Sequence, residues 1–156
     1  MKKKLISAAT TLGLVVSLAT TAAFAANFRD TEGHWAEDAI NRWSSYGVVE
    51  GTSPDTFNPG SNMTRAEAAQ VFVNLLKLTG KSDLGAYTDV SANAWYADAL
   101  SACVANGILT GMGDGTMNPN GTITREMFFT MFAQAMGIER EETSDVKFTD
   151  SAETSS

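Results

Sequence analysis

One arrangement runs twice through this chain, and a repeated unit limits the fold more tightly than any composition figure. Trp35, Asp38, Gly47, Gly51, Asn58-Pro59 and Thr64-Arg65 recur as Trp95, Asp98, Gly107, Gly111, Asn118-Pro119 and Thr124-Arg125, always 60 positions later. Upstream, Asp30 matches Asp89 before a one-residue difference in length, and "FTDS" at Phe148 starts the pattern a third time. A unit of about fifty residues buries too little surface to be comfortably stable alone. Repeated units of that size are therefore expected to pack against one another.

Each copy reads as helix, loop, helix. In the first, Trp35, Ala39, Ile40 and Trp43 fall on one helical face, as the apolar stripe of a packed helix does. Gly47 and Gly107 suit the left-handed residue that closes a helix. "VVEG" and "ILTG" are short apolar pieces ended by glycine and are expected to act as strand-like bridges. Turn-rich loops follow, "TSPDTFNPGSN" and "GMGDGTMNPNG". Ala68, Val71, Phe72, Leu75 and Leu76 then form the stripe of the second helix. Its counterpart carries Phe128, Met131, Phe132, Ala135 and Met136. This Met and Phe stripe is core rather than a cofactor box, because helical periodicity accounts for it.

The Thr-Arg pairs pose a sharper question. Thr64 followed three residues later by Glu67 forms a capping box, which the second copy breaks by placing Met127 at the matching position. Glu126 keeps an acidic group in that first turn. Capping does not explain Arg65 or Arg125, since a cation at the first helical position meets a repulsion of roughly 0.3–1 kcal/mol from the helix dipole. A structural partner in Asp30 or Asp89 of the same copy is one account. The other is an external anion gripped by the guanidinium together with free backbone N–H groups at the helix start. Trp35 and Trp95 carry a similar pair of readings, as core residues or as platforms stacked on a sugar face.

The beginning of the chain has a different character. Lys2-Lys3-Lys4 precede an apolar run from Leu5 to Ala19, and Ala23-Phe24-Ala25 supplies small residues for cleavage. That layout is a secretory signal over residues 1–26, not a membrane span. Its removal leaves eight Lys and Arg against eighteen Asp and Glu, a net charge of −10. Such acidity excludes a nucleic-acid footprint and a polybasic membrane anchor. The lone Cys103 builds no disulfide framework and reads as a small buried apolar residue. There is no acid/base carboxylate pair, phosphate loop or zinc cluster in recognisable form. "GDGTMN" at Gly113 lacks the alternating ligands of a calcium loop. We expect no catalysis, cofactor or metal.

The stretches "FRDTEGHWAEDAI", "YGVVEG" and "FNPGSNMTRAEAAQVF", with their counterparts, resemble S-layer homology (SLH) modules. The resemblance implies a mainly α fold of tandem helix-loop-helix modules, packed as part of a three-module pseudo-trimer with ligand grooves between neighbours. It implies module 1 at residues 27–79, a linker at 80–86, module 2 at 87–138, a linker at 139–147 and the truncated start of module 3 at 148–156. The chain is accordingly expected to be a fragment. The implied function is non-covalent anchoring of an exported protein to the bacterial cell wall, at the surface or in an S-layer. The implied partner is an acidic, pyruvylated secondary cell-wall polysaccharide or a peptidoglycan-linked polymer. Carried onto this sequence, the ligand-binding residues are Arg65, Arg125, Asp30, Asp89, Trp35, Trp95, Glu67 and Glu126. The alternative is a self-assembling surface-layer subunit whose repeats bind each other without sugar.

Overall fold

The computed structural model describes residues 28–138. The leader at 1–26, the linker at 139–147 and the third start at 148–156 lie outside the described residues. Among the described residues four helices carry the fold: α1 (Glu37–Ser45), α2 (Arg65–Leu76), α3 (Ala97–Ala105) and α4 (Arg125–Ala135). A single 3-10 turn, Arg29–Thr31, precedes them. None of the described helices is long and apolar enough to cross a membrane.

The two repeats close their first helices in the same way. Gly47 and Gly107 adopt φ of 66° and 70°, which costs glycine nothing. The Gly47 and Val48 N–H groups donate back to Ser44 and Trp43 carbonyls, and Gly107 and Ile108 repeat this with Val104 and Cys103. Orphan carbonyls at the helix end are thus satisfied. The segments after these glycines are not strands. Among the described residues the only β pairings are isolated bridges, Ser53 with Thr56 and Thr64 with Thr122. "VVEG" and "ILTG" have no chain alongside them to build a ladder, so their apolar residues serve packing instead, with Val48, Ile108 and Leu109 buried.

Each loop is fastened by one carboxylate. Asp30 accepts the N–H groups of Phe57 (2.9 Å) and Asn58 (2.6 Å). Asp89 accepts those of Met117 (2.8 Å) and Asn118 (2.7 Å). This clamp holds Asn58 and Asn118 at positive φ, 61° and 48°, a conformation asparagine tolerates better than most residues. Gly51 and Gly111 are required for another reason: a Cβ on either would collide with the ring of Phe28 or Tyr87.

The core lies between the repeats rather than inside either one. Ala66, Ala69 and Phe72 of α2 pack with Ala99, Leu100 and Cys103 of α3, joined by Met117 and by Met131 of α4. Phe72 and Phe128 bring their rings to 5.6 Å. Small residues on α2 allow close approach: the Cys103 Sγ reaches 3.5 Å from the Ala69 carbonyl oxygen. Burial pushes the Cys103 thiol up to about 11. The link at 80–86 is strapped to α3, where Ser101 Oγ donates to the Ser82 carbonyl and accepts the Ser82 N–H.

The stripe expected on α1 is not a core face. Ile40 is buried, but Ala39 is exposed, Trp43 is 43 % exposed and Trp35 is 91 % exposed. The matching Ala99, Leu100 and Cys103 are buried because α2 lies across them, and among the described residues no helix lies across α1 in that way. On the second helices, Leu75, Leu76, Phe132 and Met136 are likewise exposed. Among the described residues, no helix lies across the stripe of α4 as α3 lies across α2.

Candidate functional site

Two grooves occupy matching places in the two repeats. Each runs between the apolar segment that follows the first helix and one face of the second helix. The first, about 510 Å³, is bordered by Glu50, Asn58, Glu67, Gln70, Val71 and Asn74. The second, about 290 Å³, is bordered by Thr110, Met112, Glu126, Met127, Thr130 and Gln134.

Each groove also takes one residue from the other repeat. Trp95, just before α3, lines the first groove and is 64 % exposed, its ring nearly perpendicular to that of Tyr96 at 5.4 Å. Arg65, at the head of α2, lines the second groove. Its Nε donates to the Met117 carbonyl (2.9 Å) and its Nη2 to the Thr110 carbonyl (2.8 Å). Only 6 % of Arg65 is exposed. Burial lowers its pKa, and the Asp89 carboxylate opposes that shift. Asp89, of the second repeat, is therefore the carboxylate that Arg65 senses, not Asp30 of its own copy.

The start of α2 is saturated from within. Thr64 and Glu67 complete the capping box: Glu67 Oε2 accepts the Thr64 N–H (2.7 Å), and Thr64 Oγ1 accepts the Glu67 N–H (3.2 Å). The N–H groups of Arg65 and Ala66 donate to the Gly121 and Pro119 carbonyls of the second repeat, and that of Ala68 to Thr64 O. The free N–H groups that the anion reading needs are thus already engaged in α2. At α4, Thr124 Oγ1 accepts the Met127 N–H (3.1 Å). Arg125 is exposed there, its guanidinium 5.5 Å from the centre of the Phe129 ring, a cation–π distance.

The eight residues singled out from the sequence are therefore redistributed. Glu67 and Trp95 share the first groove, and Glu126 and Arg65 share the second. Asp30 and Asp89 serve the loop clamps. Trp35 stands in solvent beside His34, with ring centres 5.5 Å apart, and Arg125 stands at the head of α4. Sequence reasoning passed over Gln70 and Asn74, which bond each other at 2.9 Å on the groove side of α2. The available signal was a polar pair four residues apart inside an apolar helix, repeated as Thr130 and Gln134 at the same offset.

Comparison with known proteins fits this architecture. The S-layer homology domain family matches residues 27–69 and 86–126. The chain is 35 % identical over 141 residues to the Surface-layer 125 kDa protein of Lysinibacillus sphaericus, covering 89 % of this chain and 12 % of that protein. It is 31 % identical over 139 residues to the S-layer protein sap of Bacillus anthracis, covering 88 % and 17 %. With Exoglucanase XynX of Acetivibrio thermocellus it shares 36 % identity over 99 residues, covering 64 % and 9 %. The chain thus spans between 9 % and 17 % of the length of these three relatives. With two matching segments laid over the two helix-loop-helix repeats, the chain belongs to the S-layer homology domain family.

Proposed function

We propose that this chain is a non-catalytic anchor that holds an exported protein on the bacterial cell wall by binding an acidic, pyruvylated secondary cell-wall polysaccharide in the grooves between its repeats. The observation that carries the reading is the composition of the first groove. An exposed indole, Trp95, lines the same groove as Asn58, Glu67, Gln70 and Asn74. An aromatic plane beside amide and carboxylate groups suits a sugar ring, whose apolar face stacks while its hydroxyls take hydrogen bonds. In the second groove Arg65 lines the cleft, although two carbonyls hold its Nε and Nη2. Its charge acts on a ketal carboxylate through its field rather than by a two-bond grip. The relatives point the same way: surface-layer proteins and an exoglucanase share a matching segment, as expected of a module that carries different cargo.

Protein and polymer are both anionic in this account, so short-range contacts supply the affinity. Moderate salt is expected to leave binding unchanged or to speed it. The test is sedimentation of the leader-free chain with purified wall sacculi. Retention by wild type, loss with Trp95→Ala at unchanged melting temperature, and loss with sacculi stripped of pyruvyl groups support the reading. Equal retention before and after stripping rejects the acidic ligand, and no retention at all rejects the anchor.

A further inference from the structure

An asparagine followed by glycine is among the least durable steps in a backbone, because no side chain screens the glycine nitrogen from the neighbouring amide carbon. The chain has two such pairs, Asn106-Gly107 and Asn120-Gly121, and the fold treats them differently. Asn106 closes α3 with its amide tied down: Nδ2 donates to the Thr79 and Ala102 carbonyls, each at 2.8 Å. The Asn120 side chain is exposed and, among the described residues, has no hydrogen-bond partner. It sits in the turn Asn118-Pro119-Asn120-Gly121, which the Gly121 N–H closes on the Asn118 carbonyl at 3.1 Å. Proline second and glycine fourth suit such a turn. Glycine is required at 121, where a Cβ would collide with the Asn118 side chain. The matching turn of the first repeat, Asn58-Pro59-Gly60-Ser61, contains no such pair. The turn of the second repeat is also the one that receives the head of α2. Its Pro119 carbonyl accepts the Ala66 N–H (2.9 Å) and its Gly121 carbonyl that of Arg65 (3.0 Å). Asn120 is thus exposed with that helix already in place.

We propose that Asn120 is a site of self-modification, and that its conversion to isoaspartate unfastens α2 from the second repeat as the protein ages. When the turn opens, the Gly121 nitrogen gives its proton to solvent and attacks the Asn120 Cγ. The new N–C bond closes a cyclic imide. The Cγ–Nδ2 bond breaks, and Nδ2 takes up a proton from solvent and leaves as ammonia. Water then opens the imide at one of its two carbonyls. Opening at Cγ returns an ordinary aspartate, whereas opening at the former main-chain carbonyl routes the backbone through Cγ as isoaspartate. One water enters, one ammonia leaves and nothing is oxidised. In isoaspartate the backbone gains one atom between the Pro119 and Gly121 carbonyls, so the pair no longer matches the adjacent N–H groups of α2. Aspartate changes the charge alone, and a negative charge beside a helix start is tolerated. The inference stands apart from the anchoring reading.

The purified chain is kept warm at mildly alkaline pH for days, then digested and mapped by mass spectrometry. Amide-to-acid conversion is expected at Asn120, with isoaspartate the main product, and not at Asn106 while the chain is folded. In urea both asparagines are expected to convert. Asn120→Gln, whose imide needs a larger ring, is expected to stay intact at that position. Isoaspartate chains, separated from aspartate chains by reversed-phase chromatography, should exchange the Arg65 and Ala66 amide hydrogens roughly tenfold faster than fresh wild type, as the loss of two backbone bonds implies. Freshly made Asn120→Asp should keep the wild-type rate. Folded chains that leave Asn120 intact, or that convert Asn106 as fast, overturn the site, as does an Asn106 that resists conversion in urea. Isoaspartate chains with wild-type exchange at Arg65 and Ala66, or Asn120→Asp chains with accelerated exchange, overturn the unfastening.

Discussion

Arg65 and Arg125 follow the same threonine, open helices of nearly equal length and stand 60 positions apart, yet they live in different surroundings. Arg65 reaches into the second repeat, where two carbonyls hold it out of water. Arg125 lies in solvent against the ring of its own helix neighbour. The first helices differ in the same sense, with Cys103 fully buried and its counterpart, Trp43, 43 % exposed. A repeat of this size therefore does not carry its own interior. Each unit supplies a helix head that fastens the next unit and a helix flank that receives the one before, and a side chain's role follows from whether that neighbour is present.

Paired substitutions sharpen or break this contrast. The largest difference is expected between Phe72→Ala and Phe132→Ala. Removing a ring that is 2 % exposed should cost about 3–5 kcal/mol, whereas the ring that is 40 % exposed should cost about 1–2 kcal/mol. Urea unfolding of both variants decides the matter, and equal losses would mean that α4 packs as α2 does. Next come the arginines. Arg65→Ala strips two carbonyls of a charged donor and should destabilise by about 1.5–3 kcal/mol, while Arg125→Ala should stay within about 0.5 kcal/mol. Similar values for the two would remove the clasp between repeats. The smallest effect concerns acid. The Phe57 N–H holds the Asp30 carboxyl below its ordinary value. A depressed carboxylate stabilises the fold at neutral pH, and that contribution fades as pH drops through the ordinary carboxylate range, about pH 4, and past the group's own lower value. Melting curves of wild type and Asp30→Asn should therefore converge on acidification; a constant separation would detach the clamp from ionisation.

Much of the local structure was legible in the sequence, because local rules wrote it. The constant offset between copies, the closing glycines at 47 and 107, and the pairing of Thr64 with Glu67 depend on residues a few positions apart. What escaped was everything decided by a neighbour. The stripe Trp35, Ala39, Trp43 has flawless helical spacing, and no periodicity argument reveals that, among the described residues, no helix lies across it. The grouping of Asp30, Trp35 and Arg65 as one copy's site was natural from their order, but Trp95 and Arg65 cross over and each joins the other copy's groove. Val49 and Glu50 look like part of a strand only until one asks for the partner strand.

Cys103 gives this joint a clock. Its sulfur lies at the seam of α2 and α3, with no exposed surface and a thiol held far from its reactive form. An alkylating reagent can reach it only during moments when the units part, so at saturating reagent the labelling rate equals the frequency of that parting. The chain thus carries, without engineering, a chemical stopwatch for how often the packed seam between its repeats comes undone under heat or denaturant.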